Sequence, residues 1–110
     1  MRILIVDDHA GFRRNVRRLL EAGGLTVIGE AATAEQAIAQ AHELQPELVL
    51  LDIKLPDGDG FTAAEQIDVP VILTSSHELD DLRTRLERSR ALGFIAKDDL
   101  SAEAIVELAR

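Results

Sequence analysis

Ile3-Leu-Ile-Val-Asp-Asp8 sets four aliphatic residues in an unbroken run and ends it on two carboxylates. A half-exposed strand alternates apolar and polar residues, so a run without alternation belongs to a strand covered on both faces, as parallel strands are. The same texture returns at Leu48 to Leu51, Val71 to Leu73 and Phe94 to Ala96, and more weakly at Thr26 to Ile28. Five short buried strands are expected.

The stretches between them carry helical periodicity. Phe12, Val16, Leu19 and Leu20 share one face opposite Arg13, Arg14, Arg17 and Arg18, and Gly23-Gly24 supplies a stop. Thr33-Ala-Glu-Gln36 is a capping box opening a stripe of Ala37, Ile38, Ala41 and Leu44, with Pro46 beyond its end. A short third helix is expected over Phe61 to Ile67, a fourth carrying Leu79, Leu82 and Leu86, and a fifth after Ser101 with Ala102, Ile105, Val106 and Ala109 inward. Strict β-α alternation with right-handed crossovers predicts an α/β fold: a doubly wound, flavodoxin-like, five-stranded parallel sheet of order 2-1-3-4-5 with five helices.

At 110 residues the chain reads as one domain, residues 1–110, long enough to bury a core without staples. It has no Cys, so disulfides and thiolate zinc sites are excluded. No apolar stretch approaches the roughly 18 residues of a membrane span, and no basic leader precedes the first strand. Twenty Asp and Glu against 12 Lys and Arg give a formal net charge of -8, which repels phosphate backbones, and without Trp or Tyr there is little to stack bases on. The expectation is a cytoplasmic domain that binds neither nucleic acid nor membrane.

Ligands in doubly wound folds sit at the carboxyl ends of strands, near the point where strand order reverses. That rule selects Asp7-Asp8, Asp52, Thr74-Ser75 and Lys97. Carboxylates crowded within a few ångströms repel, so at neutral pH they need a raised pKa or a bound cation. Oxygen ligands point to a hard ion, and Mg²⁺, which keeps several waters and takes one or two carboxylates, suits this inventory better than Ca²⁺. A carboxylate beside a metal, a lysine and a hydroxyl supplies what phosphoryl transfer needs: a nucleophilic oxygen and positive charge to meet the moving group.

Four elements, Ile3 to Asp8, Leu51-Asp52-Ile-Lys-Leu-Pro-Asp-Gly-Asp-Gly60, Ile72-Leu-Thr-Ser-Ser76 and Gly93-Phe-Ile-Ala-Lys97, stand in order along the whole chain. In these the sequence resembles the receiver domain of two-component response regulators, the CheY-like superfamily. The resemblance implies that Asp52 takes a phosphoryl group from a histidine of a sensor histidine kinase or a histidine phosphotransfer protein. It implies Mg²⁺ held by Asp8, Asp52 and the backbone carbonyl of Lys54, with Asp7 acting mainly through coordinated water. Lys97 would pair with the phosphoryl oxygens, Thr74 would close onto them as the switch hydroxyl, and Phe94 would turn inward as Thr74 moves. Spacing counted back from Lys97 lands on Ser75, whereas matching the Thr74-Ser-Ser-His-Glu78 stretch favours Thr74; both hydroxyls stay in play. The stretch between Asp52 and Thr74 is short for the family, implying a trimmed third helix, and Lys97 is followed by Asp98 where the family often has Pro.

The resemblance implies a signalling phosphoacceptor rather than an enzyme, with slow loss of its own acyl phosphate as the only turnover, and the residues leave open whether an effector domain exists elsewhere in the parent protein. Two rivals belong to other classes. An aspartyl phosphohydrolase commonly carries a second Asp two residues after the nucleophile, and Lys54 stands there instead. A phosphorylation-independent pseudo-receiver ordinarily lacks part of the acid pair, acceptor or lysine, and all are present. Arg13, Arg14, Arg17 and Arg18 read as a solvated face with a docking role as the alternative. Arg83, Arg85, Arg88 and Arg90 against Asp98, Asp99, Glu103 and Glu107 suggest a homodimer through helix 4, strand 5 and helix 5. The three His read as incidental.

Overall fold

The computed structural model describes residues 1–76 and 82–110. Along the chain lie β1 (Arg2–Val6), α1 (Ala10–Ala22), β2 (Thr26–Ala31), α2 (Ala34–Leu44) and β3 (Leu48–Asp52). A two-residue hairpin, β4 (Lys54–Leu55) with β5 (Gly58–Asp59), leads into α3 (Gly60–Glu65). Then come β6 (Val71–Ser75), α4 (Arg83–Arg88), β7 (Gly93–Ala96), a 3₁₀ turn (Lys97–Asp99) and α5 (Ala102–Ala109). The five long strands pair in the order β2-β1-β3-β6-β7, all parallel. Setting the hairpin aside, this is the expected order 2-1-3-4-5. No helix among the described residues is long and apolar enough to cross a membrane.

Because side chains alternate across a strand, each central strand serves two cores. Leu4, Val6, Val49, Leu51 and Leu73 pack with Ala37 and Ala41 of α2 and Phe61, Ala63 and Ala64 of α3. Ile3, Ile5, Leu48, Leu50, Ile72 and Ile95 pack on the other face with Val16 and Leu20 of α1 and Ile105 of α5. The unbroken aliphatic runs are therefore the signature of two layers of helices. β2 is one of the two edge strands, and its register with β1 slips between Ile3 and Leu4, which accounts for its weaker pattern.

The helix ends follow from side-chain chemistry. Thr33 accepts from the Gln36 N–H at 3.1 Å, while the Gln36 side chain reaches back one residue further than a capping box requires, to the Ala32 N–H at 2.9 Å. Asp57, at the hairpin tip, accepts from the next two free donors of α2, Ala34 N–H at 2.7 Å and Glu35 N–H at 3.0 Å. This holds the Asp57 carboxyl below the usual carboxylate range. Ser101 caps α5 through the Ala104 N–H at 3.0 Å. Gly24 takes φ 90 just past α1, a conformation that suits only glycine without strain.

Several expectations are corrected in detail. Leu19 lies on the solvent side of α1, 44% exposed, because the buried stripe follows Val16 and Leu20. The third helix starts and ends earlier than Phe61 to Ile67, since Asp59 caps it by accepting from the Thr62 N–H at 2.9 Å. Leu82 precedes α4 and packs with Leu86 against the α2/α3 core, while Leu79 lies outside the described residues. On α5, Leu108 joins Val106 against the sheet in the place expected of Ala109.

Candidate functional site

The strand rows that face α1 and α5 run out, at their carboxyl ends, into polar residues. Ile3 and Ile5 are followed in their row by Asp7, Leu48 and Leu50 by Asp52, Ile72 by Thr74, and Ile95 by Lys97. Asp52 and Thr74 are direct neighbours in the parallel register. Asp7, Asp52, Thr74 and Ser75 are all buried. Alternation and register alone thus bring two acids, a hydroxyl and an ammonium to one edge.

Lys97 Nζ lies 2.6 Å from Asp7 Oδ2 and 3.2 Å from Asp52 Oδ2. Its ammonium also sits 4.5 Å from the centroid of the Phe12 ring. Asp7 Oδ1 accepts from the His9 N–H at 2.8 Å, and Asp52 Oδ1 from the Lys54 N–H at 3.2 Å. Arg13 donates from Nη1 to the Asp7 carbonyl at 2.6 Å and from Nε to Glu30 at 2.9 Å, and Arg17 holds the other Glu30 oxygen at 2.6 Å. This clamp fixes the backbone of the acid pair from behind.

The two buried acids are unlike. Burial pushes the Asp7 carboxyl up, but hydrogen bonds from Lys97 and His9 outweigh it and leave Asp7 below the ordinary carboxylate range. Burial pushes Asp52 up as well, and the Asp7 charge adds to that, so the Lys54 N–H and Lys97 do not bring it back and Asp52 stays above its ordinary value. Burial lowers Lys97, yet the two carboxylates hold its pKa above the ordinary lysine value.

A cavity of about 380 Å³ opens over this edge. Asp52, Ser75 and Lys97 line it, with Asp8, His9, Lys54 and Ser76 around them. A larger hollow of about 480 Å³ lies between α2 and α3, lined largely by alanines, Ile38 and the capping acids, and brings no comparable chemistry together. The Thr74 Oγ1 is buried with no hydrogen-bond partner among the described residues. The donors present fit a divalent cation: among the described residues the buried carboxylates of Asp7 and Asp52 share the ammonium of Lys97, and the Asp8 carboxylate opens on the same cavity.

Every residue expected at the site from sequence is placed at this edge. Asp8 is partly exposed, and the Lys54 side chain points outward while its N–H touches Asp52. Phe94 is half-buried against the α2/α3 core beside Leu82 and Leu86. Five participants were not expected: Phe12, read only as core, the clamp of Arg13, Arg17 and Glu30, and His9, read as incidental. The direct adjacency of His9 to Asp7-Asp8 was the available signal. Arg13 and Arg17 are thereby engaged within the chain, leaving Arg14 and Arg18 as the exposed pair on α1. Arg85 pairs with Asp59 at 3.1 Å and lies over the Phe61 ring, so it too is spoken for.

Known proteins share the fold and the sequence of this chain. The model of the response regulator receiver domain matches residues 3–110. The chain is 34% identical over 111 residues to the response regulator GacA of Pseudomonas viridiflava, covering 96% of this chain and 52% of that protein. It is 40% identical over 104 residues to a protein-glutamate methylesterase/protein-glutamine glutaminase of Alkalilimnicola ehrlichii, covering 88% of this chain and 27% of that protein. The chain thus spans about half or less of the length of these curated relatives. A chain of the CheX-CheY-BeF₃-Mg²⁺ complex from Borrelia burgdorferi superposes with a TM-score of 0.83 at 26% identity, covering 98% of this chain and 85% of that one. Fold, strand-end chemistry and sequence agree, and the chain belongs to the response regulator receiver domain family of two-component signal transduction.

Proposed function

We propose that this domain, residues 1–110, is a phosphoacceptor in which Asp52 receives a phosphoryl group from a phosphohistidine of a sensor histidine kinase or histidine phosphotransfer protein. The observation that carries the reading is the contact of Lys97 Nζ with both Asp7 and Asp52 at the floor of an open cavity. A carboxylate oxygen of Asp52 attacks phosphorus in line; the new O–P bond forms as the donor's N–P bond breaks, and the imidazole leaves with the electron pair. Asp52 must be ionised to attack, which the Lys54 N–H and Lys97 favour against the cost of burial.

Asp8 and Asp52, with the Lys54 carbonyl and Asp7 behind, are the residues that would hold Mg²⁺, which when bound supplies positive charge to the phosphoryl oxygens. The Borrelia relative was crystallised with BeF₃ and Mg²⁺, which supports this assignment. Once Asp52 carries the phosphoryl group its negative charge no longer faces Lys97 as a bare carboxylate, and the ammonium can turn to the new oxygens. Thr74, in register with Asp52 and lacking a partner for Oγ1 among the described residues, is the hydroxyl placed to follow. Ser75 already has a partner, which favours Thr74 as the switch. Phe94 and α4 then shift, and the output is a change of surface population rather than a released product.

The domain is read as cytoplasmic, in the compartment of its phosphohistidine donor. Exposed Arg88 on α4 and exposed Asp98, Asp99 and Glu103 near α5 give that face charges of both signs, which supports a homodimer in the phosphorylated state. The test is transfer from a phosphorylated histidine donor protein. A hydroxylamine-labile adduct mapping to Asp52 supports the reading, and an adduct on any other residue removes it.

A further inference from the structure

His9 Nδ1 lies 3.0 Å from Asp8 Oδ1 and 3.3 Å from Asp7 Oδ1. One ligand atom from each of the three residues lies within 4.8 Å of the others. A neutral ring nitrogen that turned its lone pair toward two carboxylate oxygens at these distances would be repelled, so a proton or a cation belongs among them. The backbone holds this arrangement: Asp7 Oδ1 accepts from the His9 N–H, and Arg13 grips the Asp7 carbonyl. The ring, 73% exposed, stands on the wall of the cavity that Asp8 and Asp52 also line, so it can take a ligand without disturbing buried packing.

We infer that His9 supplies an imidazole ligand to the divalent-cation site, so that the pocket takes first-row transition ions, Mn²⁺ through Zn²⁺, in preference to Mg²⁺. The inference rests on the reading of the acid pocket as a divalent-cation site. Its chemistry is a matter of donor type. Carboxylates and water suit Mg²⁺, which gains little from nitrogen, whereas imidazole adds affinity along the series from Mn²⁺ toward Cu²⁺. Asp7 and Asp8 bring carboxylate oxygens to this cluster, and His9 is the one described residue on the cavity wall whose side chain offers a neutral nitrogen donor.

The experiment uses Mn²⁺ bound to the unphosphorylated chain and reads pulsed electron paramagnetic resonance. The expected result is a ¹⁴N coupling of directly bound imidazole that disappears in His9→Ala. By titration, that variant should bind Mn²⁺ about tenfold more weakly. Its Mg²⁺ affinity should change by no more than about twofold. Asp8→Asn locates the ion, since it should abolish binding of both metals. Mn²⁺ held through Asp8 with no nitrogen coupling, a coupling that survives His9→Ala, or no Mn²⁺ bound at Asp8 would each overturn the inference. Phosphoryl addition to Asp52, measured separately by mass with Mg²⁺, reports on the phosphoacceptor reading, so the two can fail independently.

Discussion

Lys97 Nζ stands nearer to Asp7, at 2.6 Å, than to Asp52, at 3.2 Å. The ammonium thus settles on the acid that is not the proposed acceptor, lowering the pKa of Asp7 while Asp52 remains raised by burial and by the Asp7 charge. In the resting domain Lys97 is a structural counter-ion first, and Asp52, the proposed acceptor, is the less satisfied of the two carboxylates.

Removing that counter-ion leaves two buried acids facing each other. Lys97→Ala should destabilise the domain by about 3 kcal/mol, the low end for breaking a buried pair, because the lysine keeps some contact with solvent. A divalent cation should restore more of the thermal midpoint in this variant than in the wild type, since it replaces the lost positive charge. Equal gains in both proteins would contradict the counter-ion role.

The opposite pKa directions of the two acids give opposite pH signatures. Asp7 is lowered, so its contribution is present above the ordinary value of 3.8 and is lost as pH falls through its folded pKa. Asp52 is raised, so the folded state holds its proton more tightly and stability falls as pH rises from 3.8 through the folded pKa. Asp52→Asn should therefore unfold at higher urea than the wild type at neutral pH, with the gap closing under acid. Asp7→Asn should lose about 1.5–3 kcal/mol at neutral pH, as expected for charge-assisted hydrogen bonds. Urea melts across pH check both signs.

Asp57 links the hairpin after the acceptor to the start of α2 by accepting two of its free N–H groups. Asp57→Ala should loosen the first turn of α2, as loss of other helix caps does. Hydrogen exchange should speed up at the Ala34 and Glu35 amides and leave Gln36, held by Thr33, less affected.

Gly60 presses against the end of β3. A Cβ there would lie 2.6 Å from the Asp52 carbonyl oxygen and 2.9 Å from Ile53 Cα, both backbone atoms that cannot turn aside. Gly60→Ala should lower stability by about 1–3 kcal/mol, the range for overpacking, and slow phosphorylation by displacing the acceptor strand. An unchanged melting curve would contradict the tight approach of Gly60 to the end of β3.

Much of this was legible from residue order. The unbroken aliphatic runs and the caps at Thr33 and Ser101 announced five parallel strands, and the rule that ligands gather at strand ends picked out Asp7, Asp8, Asp52, Thr74 and Lys97. What escaped was made by pairings distant in the chain. Nothing local says that Asp57 caps a helix 23 residues earlier, that Glu30 binds two arginines of α1, or that the Phe12 ring supports Lys97. Leu19 failed because a period of 3.6 leaves the rim of an apolar stripe undecided, and only the packed sheet fixes where that rim lies.

The most direct measurement of the central claim is intact mass after incubation with acetyl phosphate, with and without Mg²⁺, for the wild type and Asp52→Ala. One Mg²⁺-dependent phosphoryl addition that vanishes in the variant is the predicted result. An addition that persists in Asp52→Ala, or no addition together with no binding of fluoroberyllate, would contradict it.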